Sequence, residues 1–363
     1  MGQRRHAFHI ANASAATEAF PSFRCHPPMW ATKAKAWVPR QQTMAKVLIT
    51  GGGGYIGQTC ARAFHGGGWQ VHVLDRRSSD ECEGMDALLA EGCTFHHADI
   101  LDEVAVAEAM AKCDAVLHLA AVSSVPDSIS DPTTTMRVNV DGTDTVLRVA
   151  ARLGVQRVIA ASSAAVYGSN PNMPLEETAT LQPLSPYAES KRLNEQAVNA
   201  YRDSGMDAIA VRFFNVYGGD QVRFANNRSV VPSFLRTMIG GEAPCMFGDG
   251  SQTRDFIHVD DLARALVALM GLEGPFQHAT VNLCTQREHS MLDVMNGINK
   301  ALVKRGVLNK ALVPTHQPPR EGDIHRSYGS NRRLVETTGW TPQHDFVSGL
   351  DDTVSRFLGG ARE

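Results

Sequence analysis

The sequence predicts an α/β protein built on a doubly wound parallel sheet. Three observations carry this. Short β-branched runs alternate with helical stretches from residue 46 to 215. A glycine-rich turn joins the first strand to the first helix. The strands contain almost no turn residues, as expected where helices cover both faces of a sheet. The chain has 363 residues, 43% apolar and 20% charged, which is enough to bury a large core and excludes a disordered chain. No run of about 18 apolar residues offers a membrane span. A net charge of −3 gives no electrostatic reason to expect nucleic acid or an anionic membrane as partner.

The elements follow in order. Lys46 to Thr50 is a short strand bounded by glycine. Gln58 to His65 is compatible with a helix, stopped by Gly66-Gly-Gly68. Gln70 to Asp75 is the second strand and Cys93 to His97 the third. Residues 102–112 read as a helix, Ala115 to Ala121 as a strand, and Asp131 to Leu153 as one long amphipathic helix ended by Gly154. Arg157 to Ser163 is a strand. Pro186 to Arg202 is a helix with proline in its first turn, and Asp207 to Asn215 is a strand. Ligands of such sheets sit beyond the carboxyl ends of the strands, so functional residues are expected just after Thr50, Asp75, Ala121, Ser163 and Asn215.

The first strand, turn and helix form a dinucleotide-binding βαβ unit. Gly51 allows the tight turn, Gly54 lets backbone N–H groups approach a pyrophosphate, and Gly57 lets helix pack on strand. Asp75 ends the second strand, where it can accept hydrogen bonds from an adenosine ribose. A carboxylate there disfavours a 2′-phosphate, so NAD is expected rather than NADP, although Arg76 and Arg77 follow directly. Tyr187 and Lys191 lie one turn apart on one helical face. A phenol is a poor base at neutral pH. A nearby ammonium, together with a positive nicotinamide, would stabilise its phenolate and let it remove a proton from a sugar hydroxyl. A Tyr-x-x-x-Lys pair alone is a weak signal. Its place on the helix after Ser162-Ser163 makes it a strong one.

The chain resembles the extended short-chain dehydrogenase/reductase family, in its nucleotide-sugar epimerase/dehydratase branch. The matching stretches, in family order, are Thr50 to Gly57, Leu117 to Ala121, Asn139 to Thr143, Ala161 to Gly168, Ser185 to Lys191, Arg212 to Gly218, Gly248 to Asp260 and Arg320 to Asp323. The resemblance implies a Rossmann-type cofactor domain over residues 44–216 and a smaller α/β substrate lobe over 217–363, with segments near 254–285 packing back on the first. It implies Ser163, Tyr187 and Lys191 as the catalytic triad. It also implies cofactor contacts from Tyr55, Ile56, Asp99 and Ile100, and from Leu119, Ala120, Ala121, Asn139 and Phe214. Dehydrating members resemble Ser-Thr-Asp-Glu-Val-Tyr-Gly where this chain has Ala164 and Ala165, and decarboxylating members carry a glutamate in that stretch. Methyl groups can neither take nor give a proton. The remaining chemistry is hydride transfer alone, which is epimerisation at C4 through a ketone with NAD regenerated.

For the substrate, the resemblance implies Arg254 and Arg320 as diphosphate arginines, Asn215 as a sugar-nucleotide contact and Phe247 at a uracil pocket, with Asp323 in the same set. Ser327, four residues after Asp323, occupies a gate position where a small residue admits an N-acetyl group. A UDP-hexose, UDP-N-acetylhexosamine or UDP-uronate is expected. Ser123 stands where close hexose epimerases carry a lysine, which weakens a strict UDP-glucose/UDP-galactose specificity. Family members commonly dimerise through the helices at 132–153 and 186–202, so a homodimer is expected. The alternatives are a keto-sugar reductase on the same scaffold, an epimerase acting on another nucleotide, and, more remotely, a dinucleotide-binding sensor.

Residues 1–43 hold six basic residues and one acid, Glu18, with no periodicity and no secretory h-region. They are expected to be disordered or not translated, with the folded unit opening at Met44. Seven scattered cysteines and fourteen histidines show no metal-ligand spacing, so no metal and no disulfide framework are expected, and the compartment is read as a reducing cytoplasm.

Overall fold

The structure, a computed structural model, describes residues 44–221, 224, 229–319 and 323–360. The expectation for residues 1–43 and the role expected of Arg320 lie outside the described residues.

The first half alternates strand and helix: β1 (Lys46–Thr50), α1 (Tyr55–Gly66), β2 (Gln70–Asp75), α2 (Met85–Ala90), β3 (Thr94–His97), α3 (Glu103–Met110), β4 (Ala115–His118), α4 (Val125–Ser130), α5 (Pro132–Met136), α6 (Gly142–Leu153), β5 (Arg157–Ser163), α7 (Pro186–Asp203) and β6 (Asp207–Phe213). The second half holds β7 (Asn215–Tyr217), α8 (Val230–Ile239), β8 (Cys245–Phe247), β9 (Thr253–His258), α9 (Val259–Met270), β10 (Thr280–Leu283), β11 (Glu288–Ser290), α10 (Met291–Lys304), β12 (Thr315–Gln317), β13 (Arg326–Ser327), α11 (Arg332–Thr338) and α12 (Phe346–Gly360).

Seven strands form one parallel sheet in the order β10-β6-β5-β4-β1-β2-β3. The order reverses between β1 and β4, which opens a crevice at their carboxyl ends. Alternation along the strands feeds two cores. Val47, Ile49, Val71, Val73 and Ile159 face α1 and α9, against Phe64, Leu262 and Leu266. Leu48, Leu74, Val116 and Val158 face α3, α6 and α7, against Met110, Leu147 and Val198. Most of these side chains are fully buried, each stabilising the fold by roughly 1.5–3 kcal/mol. The last strand of the sheet, β10, and its covering helix α9 come from the second half of the chain. At the amino ends of the strands, buried Arg157 pairs with Asp207 at 2.8 Å and donates to the Met270 and Leu272 carbonyls, tying the end of α9 to β5.

The second lobe has its own core, in which Leu235, Met246, Phe256, Val294, Ile298 and Leu350 bring together α8, β8, β9, α10 and α12. Its small sheet runs β11-β9-β13 with β7 on β9, and β8 pairs with β12.

Three elements differ from the sequence expectation. The strand expected over 115–121 ends at His118, and residues 119–121 leave the sheet. The Leu119 N–H still reaches the Thr50 carbonyl (3.1 Å), but the Ala120 N–H turns to Thr50 Oγ1 (3.3 Å). The helix expected over 131–153 carries one π-turn at Arg137–Asp141 between α5 and α6. There the Thr143 hydroxyl donates to the Asn139 carbonyl at 2.5 Å and competes with the backbone ladder. The strand expected over 207–215 splits: Phe214 still donates to Leu283 at 3.2 Å, while Asn215 begins β7 and pairs with β9.

Candidate active site

The glycine turn has the shape a dinucleotide needs. Gly51 sits at φ +67°, and a Cβ there would come within 2.8 Å of the Ala120 backbone. A Cβ on Gly57 would lie 2.4 Å from the Gly51 carbonyl, so only glycine lets α1 close onto the turn. At Gly54 a Cβ would meet only the Gly51 carbonyl, at 3.3 Å. No side chain caps α1 and no acid lies in its first turn, so the helix end at Tyr55, Ile56 and Gly57 presents backbone donors and a positive dipole. Asp75 is buried and accepts from the Gly53 N–H at 3.0 Å. Arg77 folds back onto Asp75, through Nε at 3.1 Å and Nη2 at 3.2 Å, and so neutralises the carboxylate. These residues fit an adenosine diphosphate group. The Tyr55 side chain turns away, donating to the Gly218 carbonyl at 2.7 Å, which leaves its backbone as the part facing the turn.

The other expected cofactor residues divide. Asp99 is exposed beyond β3 and caps the Leu101 N–H at 3.0 Å, while Ile100 is buried against Gly142. Leu119, Ala120 and Ala121 are half-buried at the crevice. Asn139 is fully buried and spends its amide elsewhere. It holds Val122 through both backbone groups (2.7 and 3.0 Å) and donates to Ser190 Oγ at 2.9 Å, bracing the 119–122 segment against α7. Phe214 packs with Val166, Tyr167, Leu175 and Cys284 in a small core between the lobes.

Ser163 ends β5, and Tyr187 and Lys191 lie on α7, which begins with Ser185 capping the Ala188 N–H at 3.1 Å. Ser163 and Tyr187 face each other at the carboxyl end of β5. Burial raises the Tyr187 phenol above its ordinary value, and the nearby Ser163 hydroxyl opposes this. Lys191 Nζ lies 6.0 Å from the Tyr187 ring centre and donates to the Ala161 carbonyl at 2.9 Å. Burial lowers the Lys191 ammonium to about 8, with Glu195 opposing. Burial, with Lys191 nearby, lowers His118 to about 3, so it is a neutral link between Thr50 Oγ1 (2.7 Å) and Thr143 Oγ1 (2.9 Å). Ala164 and Ala165 form the turn after Ser163, and the Ala165 N–H donates to Ser163 Oγ at 3.2 Å.

The second lobe supplies the opposite wall. Asn215 is exposed at the start of β7. Arg254 on β9 is mostly buried and pairs with Asp323 at 2.7 Å, 69 residues away in sequence. Burial lowers the Arg254 guanidinium, and Asp323 opposes this. Ser327 is buried on β13 directly opposite Arg254, whereas Tyr328 is half-buried, its ring 5.1 Å from the Arg326 guanidinium. Phe247 ends β8 opposite Gln317, away from β9 in pairing.

Two groups escaped the sequence reading. Asp255 sits at zero exposure and accepts from the Thr285 N–H and hydroxyl (2.8 and 2.7 Å) and the Gln286 N–H (2.9 Å), joining β9 to the segment after β10. Burial raises its carboxyl to about 6. His258 and His344 stack at 4.0 Å near Asp260. Their planes are within 21° of parallel, so their in-plane lone pairs do not converge, and Arg356 already holds Asp260 at 3.2 Å. No sequence spacing marks either group, because their partners lie tens of residues apart.

Residues 47–284 match the NAD dependent epimerase/dehydratase family, and the chain belongs to it. Among individual proteins, it is similar to the UDP-glucose 4-epimerase of Mycolicibacterium smegmatis, 34% identical over 86% of this chain and 98% of that one. Its fold is similar to the crystal structure of UDP-glucose 4-epimerase with UDP-glucose from Thermotoga maritima, with TM-score 0.79 at 28% identity over 87% of this chain and 99% of the other. It is also similar to the UDP-N-acetylglucosamine 4-epimerase of Methanobrevibacter ruminantium in complex with UDP-N-acetylmuramic acid, with TM-score 0.78 at 28% identity over 88% and 99% of the two chains.

Proposed function

We infer that Ser163, Tyr187 and Lys191 carry out the proton movements of sugar epimerisation in this chain. The protein is an NAD-dependent nucleotide-sugar 4-epimerase. The observation that supports the division of labour is the placing of Ser163 at the carboxyl end of β5 beside Tyr187, with the buried Lys191 ammonium one turn further along α7 and tied to the Ala161 carbonyl of β5.

When bound, NAD supplies an acceptor that takes the C4 hydride and returns it, and a positive ring charge. Gly54 and the uncapped end of α1 would hold its pyrophosphate, and Asp75 its adenosine ribose. Tyr187 Oη takes the C4 hydroxyl proton as the C–H bond gives up its hydride, leaving a ketone. Lys191 favours the phenolate by its charge, and Ser163 hydrogen-bonds the reacting oxygen. After the keto-sugar presents its other face, hydride returns to C4 and Tyr187 returns the proton to oxygen. Sugar and cofactor are restored in count, and the C4 configuration is inverted. Ala164 and Ala165 supply no acid or base, so elimination has no proton donor at that turn.

Arg254 is proposed to hold the diphosphate, exchanging Asp323 for phosphate oxygens, with Asn215 at the sugar nucleotide. Phe247 is proposed at the nucleobase. The small Ser327 opposite Arg254 is proposed to leave room for an N-acetyl group. Pairing of two copies through α5–α6 and α7 is the proposed dimer contact, supported by exposed Val125 and Ile129 on the adjoining α4. The six described cysteines are free, five of them buried, which supports a reducing compartment.

The test is product analysis with UDP-glucose, UDP-N-acetylglucosamine and UDP-glucuronate separately, with and without added NAD. A C4 epimer reaching a stable ratio with no net NADH formed is expected. Stoichiometric NADH consumption on a keto-sugar, with no epimer from any of the three, would replace this reading with a keto-sugar reductase.

A further inference from the structure

Between α7 and the carboxyl ends of β5 and β6 lies a buried polar cluster centred on Glu195. Its carboxylate accepts from Ser162 Oγ at 2.5 Å, Arg212 Nε at 2.8 Å and Arg212 Nη2 at 2.6 Å. Ser162 immediately precedes Ser163 on β5, and Arg212 lies on the neighbouring β6. Arg212 continues the chain of bonds to the Tyr167 hydroxyl at 2.8 Å. That hydroxyl donates to Asn282 on β10 at 2.7 Å, and the Asn282 amide donates to the Leu175 and Ser330 carbonyls. Glu195 is itself one turn beyond Lys191 on α7. Both are almost wholly buried.

A structural ion pair would need only Glu195 and Arg212. The placement beside Lys191 adds a second consequence. Two other groups face this lysine. Tyr187 lies on its own helix, and His118 on β4 is neutral; the Arg212 guanidinium is spent on Glu195. Burial works against the ammonium, and the Glu195 carboxylate is the charge that works for it.

We propose that Glu195 is a positioning residue for the reaction: held by Ser162 and Arg212, its buried carboxylate sets the charge environment of Lys191 one turn away and clamps α7 to β5 and β6, so that Tyr187 and Lys191 are held beside the end of β5. The proposal rests on the catalytic reading of Ser163, Tyr187 and Lys191. It extends the active machinery to a residue that touches neither sugar nor cofactor.

The experiment uses the full chain with lysines carbon-13 labelled at Cε. Eight lysines keep the spectrum sparse, and Lys191→Met assigns the signal. In Glu195→Gln the Lys191 titration midpoint is expected to move to lower pH. The alkaline limb of kcat should move with it, kcat at neutral pH should fall about twofold for a first downward shift of about one pH unit, and KM should change little. Glu195→Asp, which keeps the charge, should restore the midpoint. Glu195→Gln strands the Arg212 charge in the interior and can cost the fold. The double variant Glu195→Gln/Arg212→Met removes that charge as well, and a downward shift smaller than that of Glu195→Gln is expected in it. A Lys191 midpoint unmoved in the Gln and double variants overturns the proposal, even if activity falls. Wild-type turnover by Lys191→Met overturns the catalytic reading, and the proposal with it.

Discussion

The two walls of the crevice are built by different means. On the first wall, Ser163, Tyr187 and Lys191 sit on one strand and the next helix, and spacing along the chain nearly places them. On the second wall, Arg254, Asp323 and Ser327 meet because β13 pairs with β9 across about 70 residues. The first wall is fixed by the regular geometry of βα units. The second depends on long-range pairing, which must offset a larger loop-closure entropy and is free to vary in what it presents. The proposed roles follow this division, with the chemistry on the rigid wall and substrate choice on the other.

Variants can test that contrast, beginning with the largest effect. Tyr187→Phe should lower kcat by about 10²–10⁴-fold, the range for a lost general base, with NAD binding and melting temperature little changed. Steady-state rates and cofactor titration check it, and residual turnover near wild type would remove Tyr187 from the chemistry. On the opposite wall, Arg254→Ala should act on binding. One charge-assisted contact is worth roughly 1.5–3 kcal/mol, so KM should rise by about 10–100-fold while kcat falls less. A change confined to kcat would place Arg254 on the wrong wall. The mildest change is expected from Ser327→Tyr. UDP-N-acetylhexosamine turnover should drop by about tenfold or more, while turnover of the unsubstituted hexose is held. Equal losses on both substrates would show that this position shapes the lobe and does not gate the sugar.

The sequence made the first wall legible for a physical reason. A glycine turn between strand and helix, an acid at the next strand end and a Tyr-x-x-x-Lys spacing are local patterns, and local backbone geometry turns them directly into positions. The same logic misplaced what neighbouring elements decide. Residues 119–121 look like strand but peel off where the Ala120 N–H donates to the Thr50 hydroxyl oxygen. Asn139 lies within a motif of the cofactor domain, yet its amide braces Val122 and Ser190.

The sequence by itself determined the parallel sheet, the glycine turn between β1 and α1, the placing of Tyr187 and Lys191 on one face of a helix, and the two methyl side chains of Ala164 and Ala165 at the turn after β5. Each depends on residue type and short spacing. Only the tertiary structure decided that β10 and α9 return to complete the first domain, that Arg254 rests against Asp323, and that Glu195, Ser162, Arg212, Tyr167 and Asn282 form one buried chain of bonds beside α7. Those contacts join residues far apart in the sequence. They arise because buried polar groups and sheet edges must find partners wherever the fold brings them.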